Sequence, residues 1–431
     1  MPSTRRAFLR RAGLGGAVGL GGLAGLAGCS ALPPASSPKP MLAERAPPPT
    51  VGADGWPAPR ADPRNSGHPG AVGPGNAPGR SWRRSVGDGV LFRAPPVVDG
   101  DDLFVLDDRG GVLYCLAVRD GGTRWTASVG FQDDAVAPTV TADAVYAPAG
   151  QTLRRLDRGG TEDWRVDFPG AVRGVTVGGD ALFVATADGD PGVYALDPAT
   201  GERRWALETG LVVAPPAYAD GRVVAGDMRG VVRCLDARTG DVRWDAEVPD
   251  AWVQAAPLVV DRTAFVGSGT TDLASGHLAA YDVVNGTELW TVDVDAAVLS
   301  SFAGAGRRLF VADADGTLRR LGTDFPRIDW TFSPLGPFED GVSNVSLDFA
   351  PALANGLVAY AGPDERVYVV ETDAGDDGGA DDDADSGEEG ESVPARFVAD
   401  VEATSPPTVA GDALFVGTTE GVLAIGRREV D

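Results

Sequence analysis

Lysine is nearly absent: Lys39 is the only one in 431 residues. Histidine and cysteine are almost as scarce, at two and three, too few for a zinc domain or a disulfide scaffold. Positive charge is in deficit throughout. Against 37 basic residues stand 62 acidic ones, a formal net charge of −25, which excludes a broad nucleic-acid footprint. Beyond the first thirty residues no run is long and apolar enough to cross a bilayer as a helix. Long helices are disfavoured by the 59 glycines and 33 prolines, because both residue types break them.

A chain this acidic, with its positive charge carried as arginine, suits concentrated salt. There the Debye length falls to about 3 Å at 1 M, so crowded carboxylates are screened from one another. A GC-rich codon bias accounts for arginine in place of lysine but not for the acid excess. The composition is that expected of an extreme halophile, and of a halophilic archaeon in particular.

The first thirty residues read as an address. Thr4-Arg5-Arg6-Ala7-Phe8-Leu9-Arg10 resembles the twin-arginine export signal, and a Gly/Ala/Leu run follows over residues 12–27. It ends in Leu26-Ala27-Gly28-Cys29, which resembles a lipobox, so residues 1–28 are expected to be removed and Cys29 to be lipidated. The run is too short and too rich in glycine to span a membrane well. Residues 29–55 are rich in Pro, Ala and Ser and have nothing to bury, so they read as an extended tether. At about 3.1 Å per residue it would hold the folded body up to roughly 80 Å from the anchor. The expected location is the outer face of the cytoplasmic membrane.

The remainder, residues 56–431, is one pattern repeated. Trp82, Trp125, Trp164, Trp205, Trp244, Trp290 and Trp330 recur every 39–46 residues. Each unit has a Pro-containing apolar segment, a second apolar run such as Leu182-Phe183-Val184, and a third ending in Leu-Asp. A tight turn such as Thr200-Gly201, Thr239-Gly240 or Asn285-Gly286 then leads to a strand with the Trp. Four short strands at a period near 40 describe one β-propeller blade. The turn glycines supply the positive φ that a tight hairpin needs. A unit with Phe397 in the Trp slot follows Trp330, and a last unit stops one strand short. Trp82 sits on a strand with no unit of its own. Pairing that strand with the last unit closes the ring and removes its open edges, predicting an all-β propeller of eight four-stranded blades, locked by the seven tryptophans and Phe397.

Units that carry Leu-Asp-x-x-Thr-Gly before the Trp, at residues 196–205 and 235–244, resemble the pyrroloquinoline-quinone-like repeat family. The resemblance runs from about Trp82 to the C-terminus, and the leader Trp56-Pro57-Ala58-Pro59-Arg60-Ala61-Asp62-Pro63-Arg64-Asn65-Ser66-Gly67 resembles the segment preceding such propellers in exported halophile proteins. One branch of the family implies a quinone-dependent alcohol or sugar dehydrogenase, with pyrroloquinoline quinone and calcium held beside adjacent cysteines. The other implies non-enzymatic lipoproteins, similar to the propeller subunit of the outer-membrane protein assembly machine.

Adjacent cysteines are lacking here. Cys115 and Cys234 hold the same slot in units one and four, too far apart for a disulfide, and read as core residues. His277 falls in the longest loop between second and third strands, and His68 in the leader. Asp188-Gly189-Asp190 and Asp313-Ala314-Asp315-Gly316 fit ordinary Asp-Gly turns better than a dense calcium loop. The acidic run 373–391, with ten carboxylates and no base, lengthens the last hairpin of unit seven and reads as a solvated loop or a weak calcium or partner site. Loops entering the first strands converge on one channel mouth with Phe92, Arg93, Asp134, Arg173, Trp252, Gln254, Phe302, Asp348 and Phe349. These residues either plug the channel or contact a partner. Trp252 is the member that breaks the Trp period. The expectation is a monomeric, lipid-anchored, non-enzymatic module without cofactor or metal, binding another envelope or surface protein and no nucleic acid. A quinone dehydrogenase and an extracellular glycan or ligand sensor are the alternatives.

Overall fold

The computed structural model of the chain describes residues 55, 57–69, 73–74, 78–86, 92–107, 109–131, 136–248, 251–324, 327–334, 349–354, 356–373 and 391–427. The export signal, Cys29, the tether up to residue 54, Trp56, Asp134, Asp348 and the acidic run over 374–390 lie outside them.

Every described element of regular structure is a β-strand, and the strands group into eight antiparallel sheets around one ring. Blades one to seven span residues 97–128, 139–167, 171–208, 217–247, 258–294, 303–332 and 352–400. Blade eight is composite: its three strands over 408–427 take Pro78–Arg84 as their outermost member, in register from Pro78 opposite Arg427 to Arg84 opposite Val422. Chain start and chain end therefore share one sheet, as the orphan Trp82 strand requires.

The core lies between blades. Second strands are buried on both faces, as in Ala181–Ala187, because each face meets a neighbouring sheet. Third strands range from fully buried, as in Gly192–Leu196, to half-exposed at several positions, as in Thr152–Asp157. Outer strands alternate, as in Arg203–Glu208, because one edge of each faces water. Hairpins between third and outer strands shift register one residue before the turn, for example between Ala195 and Leu196 and between Cys234 and Leu235. Such bulges raise local twist and re-aim the side chain beside them.

That side chain is the Trp. Six indole N–H groups cross to the next blade and donate to the carbonyl at its last turn: Trp82 to Val118, Trp125 to Arg158, Trp164 to Pro198, Trp205 to Ala237, Trp244 to Val283 and Trp290 to Thr323, at 2.8–3.3 Å. The ring lies on the turn glycine of that blade. A Cβ on Gly240 would fall 2.7 Å from Trp205, and one on Gly286 2.7 Å from Trp244. The Thr-Gly and Asn-Gly turns are thus docking surfaces as well as chain reversals. Phe397, buried and opposite Val369, takes the same slot in blade seven.

The seam between blades six and seven is built differently. Arg320, in the third strand of blade six, donates to Thr372 O at 2.7 Å, the carbonyl corresponding to the other Trp acceptors. Trp330 is 1% exposed, and its indole N–H has no partner among the described residues. A short fifth strand, Glu391–Ser392, runs parallel to the outer strand of blade six, and Val393 N donates to Thr331 O at 3.0 Å. Two conservative substitutions should separate the two kinds of seam. Trp244→Phe loses a buried hydrogen bond and is expected to cost about 1–2 kcal/mol. Trp330→Phe removes an unsatisfied donor and should cost about 1 kcal/mol less, measured by denaturant unfolding of both variants in molar salt.

Candidate functional site

Eight inner strands leave their free edges facing the axis, and the leader occupies it. Leader carbonyls accept one inner-strand N–H from each of five blades: Pro57 from Val140, Pro63 from Tyr218, Arg64 from Val259, Ser66 from Gly304 and Gly67 from Leu353, at 2.6–3.0 Å. Two leader side chains reach the carbonyls that precede these strands. Arg60, 4% exposed, donates to Phe302 O and Pro351 O. Asn65 donates to Pro215 O and Pro257 O at 3.1 and 3.0 Å. Gly67 has φ 59°, and a Cβ there would lie 2.5 Å from the Arg60 guanidinium and 2.9 Å from Ala303. Glycine is required at that crossing. The leader is a belt that satisfies inner-edge groups of five of the eight blades.

The residues expected at the mouth divide. Phe302 and Phe349, each 1% exposed, are buried between blades; this corrects their assignment to a contact surface, and Phe92 is buried likewise. The cause is local: Phe349 N donates to the buried Ser300 hydroxyl at 2.9 Å, and Ala256 N to Ser301 at 3.1 Å, which pulls these loops inward. Arg93, Arg173, Trp252 and Gln254 remain half-exposed. Arg173 pairs with Asp188 at 2.9 Å, and the Trp252 backbone bridges Gly269 in both directions at 2.7 and 3.0 Å. Trp252 is thereby held by its own blade with its ring partly in water.

Buried aspartates on this side cap turns. Asp227 accepts N–H groups of Gly210, Arg229 and Val231 and the Arg233 guanidinium at 2.7 Å. Asp313 accepts from Asp315 and Thr317 and pairs with Arg319. Burial alone would push the Asp227 carboxyl up, yet Arg233 and the three backbone donors outweigh it and hold it below the usual range. A depressed folded value stabilises the protein above the unfolded Asp pKa and ceases to do so as pH falls through the folded value. Asp227→Asn is therefore expected to cost on the order of 2 kcal/mol at neutral pH. The deficit should shrink below about pH 4, as thermal midpoints against pH will record.

The quinone and calcium reading is not met by these residues. Cys115 and Cys234 are buried free thiols in separate blades. Burial pushes them up to about 12 and about 11, so neither is a thiolate at neutral pH. Among the described residues no group of three or more His, Cys, Asp or Glu is placed to hold a metal. His277, expected in a loop, lies in the strand Gly276–Asp282, with Nδ1 2.7 Å from Asp293.

The belt and the threonine bridges were missed in the sequence. Thr139, Thr176 and Thr408 donate to the carbonyls of Val175, Pro216 and Pro96 on the next blade at 2.5–2.8 Å. A threonine within an inner strand carries no signal of that role. The run Arg60 to Gly67 did carry one, since it sets charged and turn residues between prolines without any strand period.

Comparison with known proteins places the repeats. A family model described as outer membrane protein assembly factor BamB matches residues 70–208, 149–251, 189–287 and 228–430. An outer membrane protein assembly factor BamB of Bordetella pertussis is 30% identical over 226 residues, 49% of this chain and 55% of that protein. The chain thus spans about half the length of that curated relative. Among solved structures, BamB from Moraxella catarrhalis superposes with TM-score 0.58 at 17% identity, covering 82% of this chain and 98% of that one. The quinohemoprotein alcohol dehydrogenase of Comamonas testosteroni superposes with TM-score 0.66 at 11% identity, covering 88% and 82%.

Proposed function

Because the chain belongs to the family of the outer membrane protein assembly factor BamB, we propose that it is an exported, lipid-anchored scaffold that works by binding another envelope protein. The family match over residues 70–430 carries this reading. The axis is consistent with it: the leader occupies the inner edges of five of the eight blades. The half-exposed set Arg93, Arg173, Trp252 and Gln254 is the contact surface we favour, since an aromatic ring held among polar groups is a typical anchor. Export through the twin-arginine route, lipidation at Cys29 and a halophilic origin belong to the same proposal, and the partner is a surface protein of that envelope.

The test is cross-linking of the full chain in its native membranes at molar salt, followed by pull-down. One stoichiometric envelope protein is expected, and Trp252→Ala combined with Arg93→Ser should reduce its recovery at least about tenfold, as for a hot-spot pair. Dye reduction with alcohols or sugars after loading with pyrroloquinoline quinone and calcium would overturn the non-enzymatic reading. Anchoring is checked separately: Cys29→Ser should move the protein from the membrane fraction to the soluble one.

A further inference from the structure

The belt leaves three inner strands uncapped among the described residues, at Val98 in blade one, Val177 in blade three and Val409 in blade eight, and of the three only Val177 lines a cavity. The five N–H groups that the belt caps hold one register position, each opposite the same point of the second strand: Val140 opposite Val145, Tyr218 opposite Val223, Val259 opposite Ala264, Gly304 opposite Leu309 and Leu353 opposite Val358. In blade three that position is Val177, opposite Leu182. Among the described residues no carbonyl meets its N–H. The leader bypasses it because Arg60 must reach across the axis to blades six and seven. From Ala58 to Asp62 the chain folds on itself, with Ala61 N donating to Ala58 O at 3.1 Å and Ala61 at φ 70°. A cavity of about 220 Å³ opens beneath that fold, against Pro57, Pro59, Pro63, Thr139, Thr176 and Val177.

We infer that this cavity receives a neutral carbonyl with a small apolar body, one peptide unit of a partner protein, whose oxygen takes the Val177 N–H as the belt carbonyls take those of five other blades. The inference rests on the protein-binding reading above. Three observations set the chemistry. The vacant group is a donor, and five of its seven equivalents take belt carbonyls. The walls are prolines and valines, with the Thr139 and Thr176 hydroxyls already committed to neighbouring blades. Asp62 also lines the cavity, and its carboxylate, which accepts from the Ser66 hydroxyl at 2.6 Å, repels an anion. The volume is below the roughly 300–1,000 Å³ of sites for drug-sized ligands, so one peptide unit fits and a cofactor does not.

N-acetylprolinamide is the probe, titrated into the full chain labelled with ¹⁵N-valine at molar salt. The Val177 amide proton should move downfield saturably, and its hydrogen exchange should slow by about five- to tenfold, the worth of one hydrogen bond. Ala58→Leu, which fills the cavity from the belt, should abolish both effects with an unchanged thermal midpoint. An unmoved Val177 resonance, meaning a cavity holding water only, overturns the inference, and so does equal binding of acetate. Partner recovery unaffected by Ala58→Leu overturns this pocket while leaving the scaffold reading standing. Loss of recovery in Ala58→Leu together with the probe response supports it.

Discussion

Trp82→Ala is expected to lower the unfolding free energy by about 3–5 kcal/mol, the usual cost of truncating a large packed aromatic, out of a total of about 5–15 kcal/mol. The reason is where the residue sits. Its strand forms the one β-ladder among the described residues that joins the end of the chain to its start, and its indole spans the seam between blades eight and one. The ring lies over Gly121, where a Cβ would fall 2.8 Å away, it faces Phe415 at 6.2 Å between centroids, and its N–H reaches Val118 O at 2.8 Å. At the other seams the blades on either side are each continuous in chain; here the Trp82 strand belongs to blade eight through a ladder of hydrogen bonds and not through the chain. Gly121→Val, at φ 68°, strikes the same contact from the opposite side and should cost a similar amount. The two together should cost less than their sum, because each removes the same docking. Urea unfolding in molar salt measures all three variants. Hydrogen exchange over 78–84 and 421–427 should rise in each, and the freed edges should promote association at high concentration. A Trp82→Ala loss under about 0.5 kcal/mol, the level of an ordinary surface change, would mean that closure contributes little.

The ring was legible because its chemistry repeats. Trp on the outer strand, Gly in the turn it docks on and Leu-Asp before that turn recur every forty or so residues, so each copy reinforces the reading of the others. The composite eighth blade followed from the orphan Trp82 strand and an unfinished last unit. What repetition cannot show is a contact made once. The belt touches each of five blades through a single carbonyl, and Arg60 and Asn65 reach residues 150 to 291 positions away, with no period to mark them. Phe302 and Phe349 were misplaced for a related reason. A loop aromatic near an axis can point out or in, and buried serines that draw those loops inward are indistinguishable in sequence from exposed ones. Trp330 shows the converse: its period is regular, but Arg320 in the slot held elsewhere by Ala195 or Cys234 takes the acceptor that the indole would use.

Raising chloride salt from about 0.1 M to about 3 M is expected to raise the thermal midpoint, and the arginines show why. They are bracketed by carboxylates: Arg155 pairs with Asp143 and Asp163, Arg158 with Asp99 and Asp102, Arg204 with Asp180 and Asp197, and Arg366 with Asp364 and Asp400. The Arg155, Arg204 and Arg366 clusters keep a net negative charge after pairing, while Arg124 shares Asp102 and balances the Arg158 cluster. Salt weakens the attractions and the repulsions alike, but with 62 acids to 37 bases the repulsions are the larger sum, so screening stabilises. The ten carboxylates over 373–391 add to that sum without a base among them. Replacing them with Asn and Gln should therefore shrink the difference between low and high salt, and should do so mainly by raising the low-salt midpoint. Chloride is the appropriate anion, because sulfate also strengthens apolar burial and would mix the two effects. A midpoint that stays constant across this range would show that the surface pairs balance locally despite their stoichiometry, and the halophilic reading would fall with it.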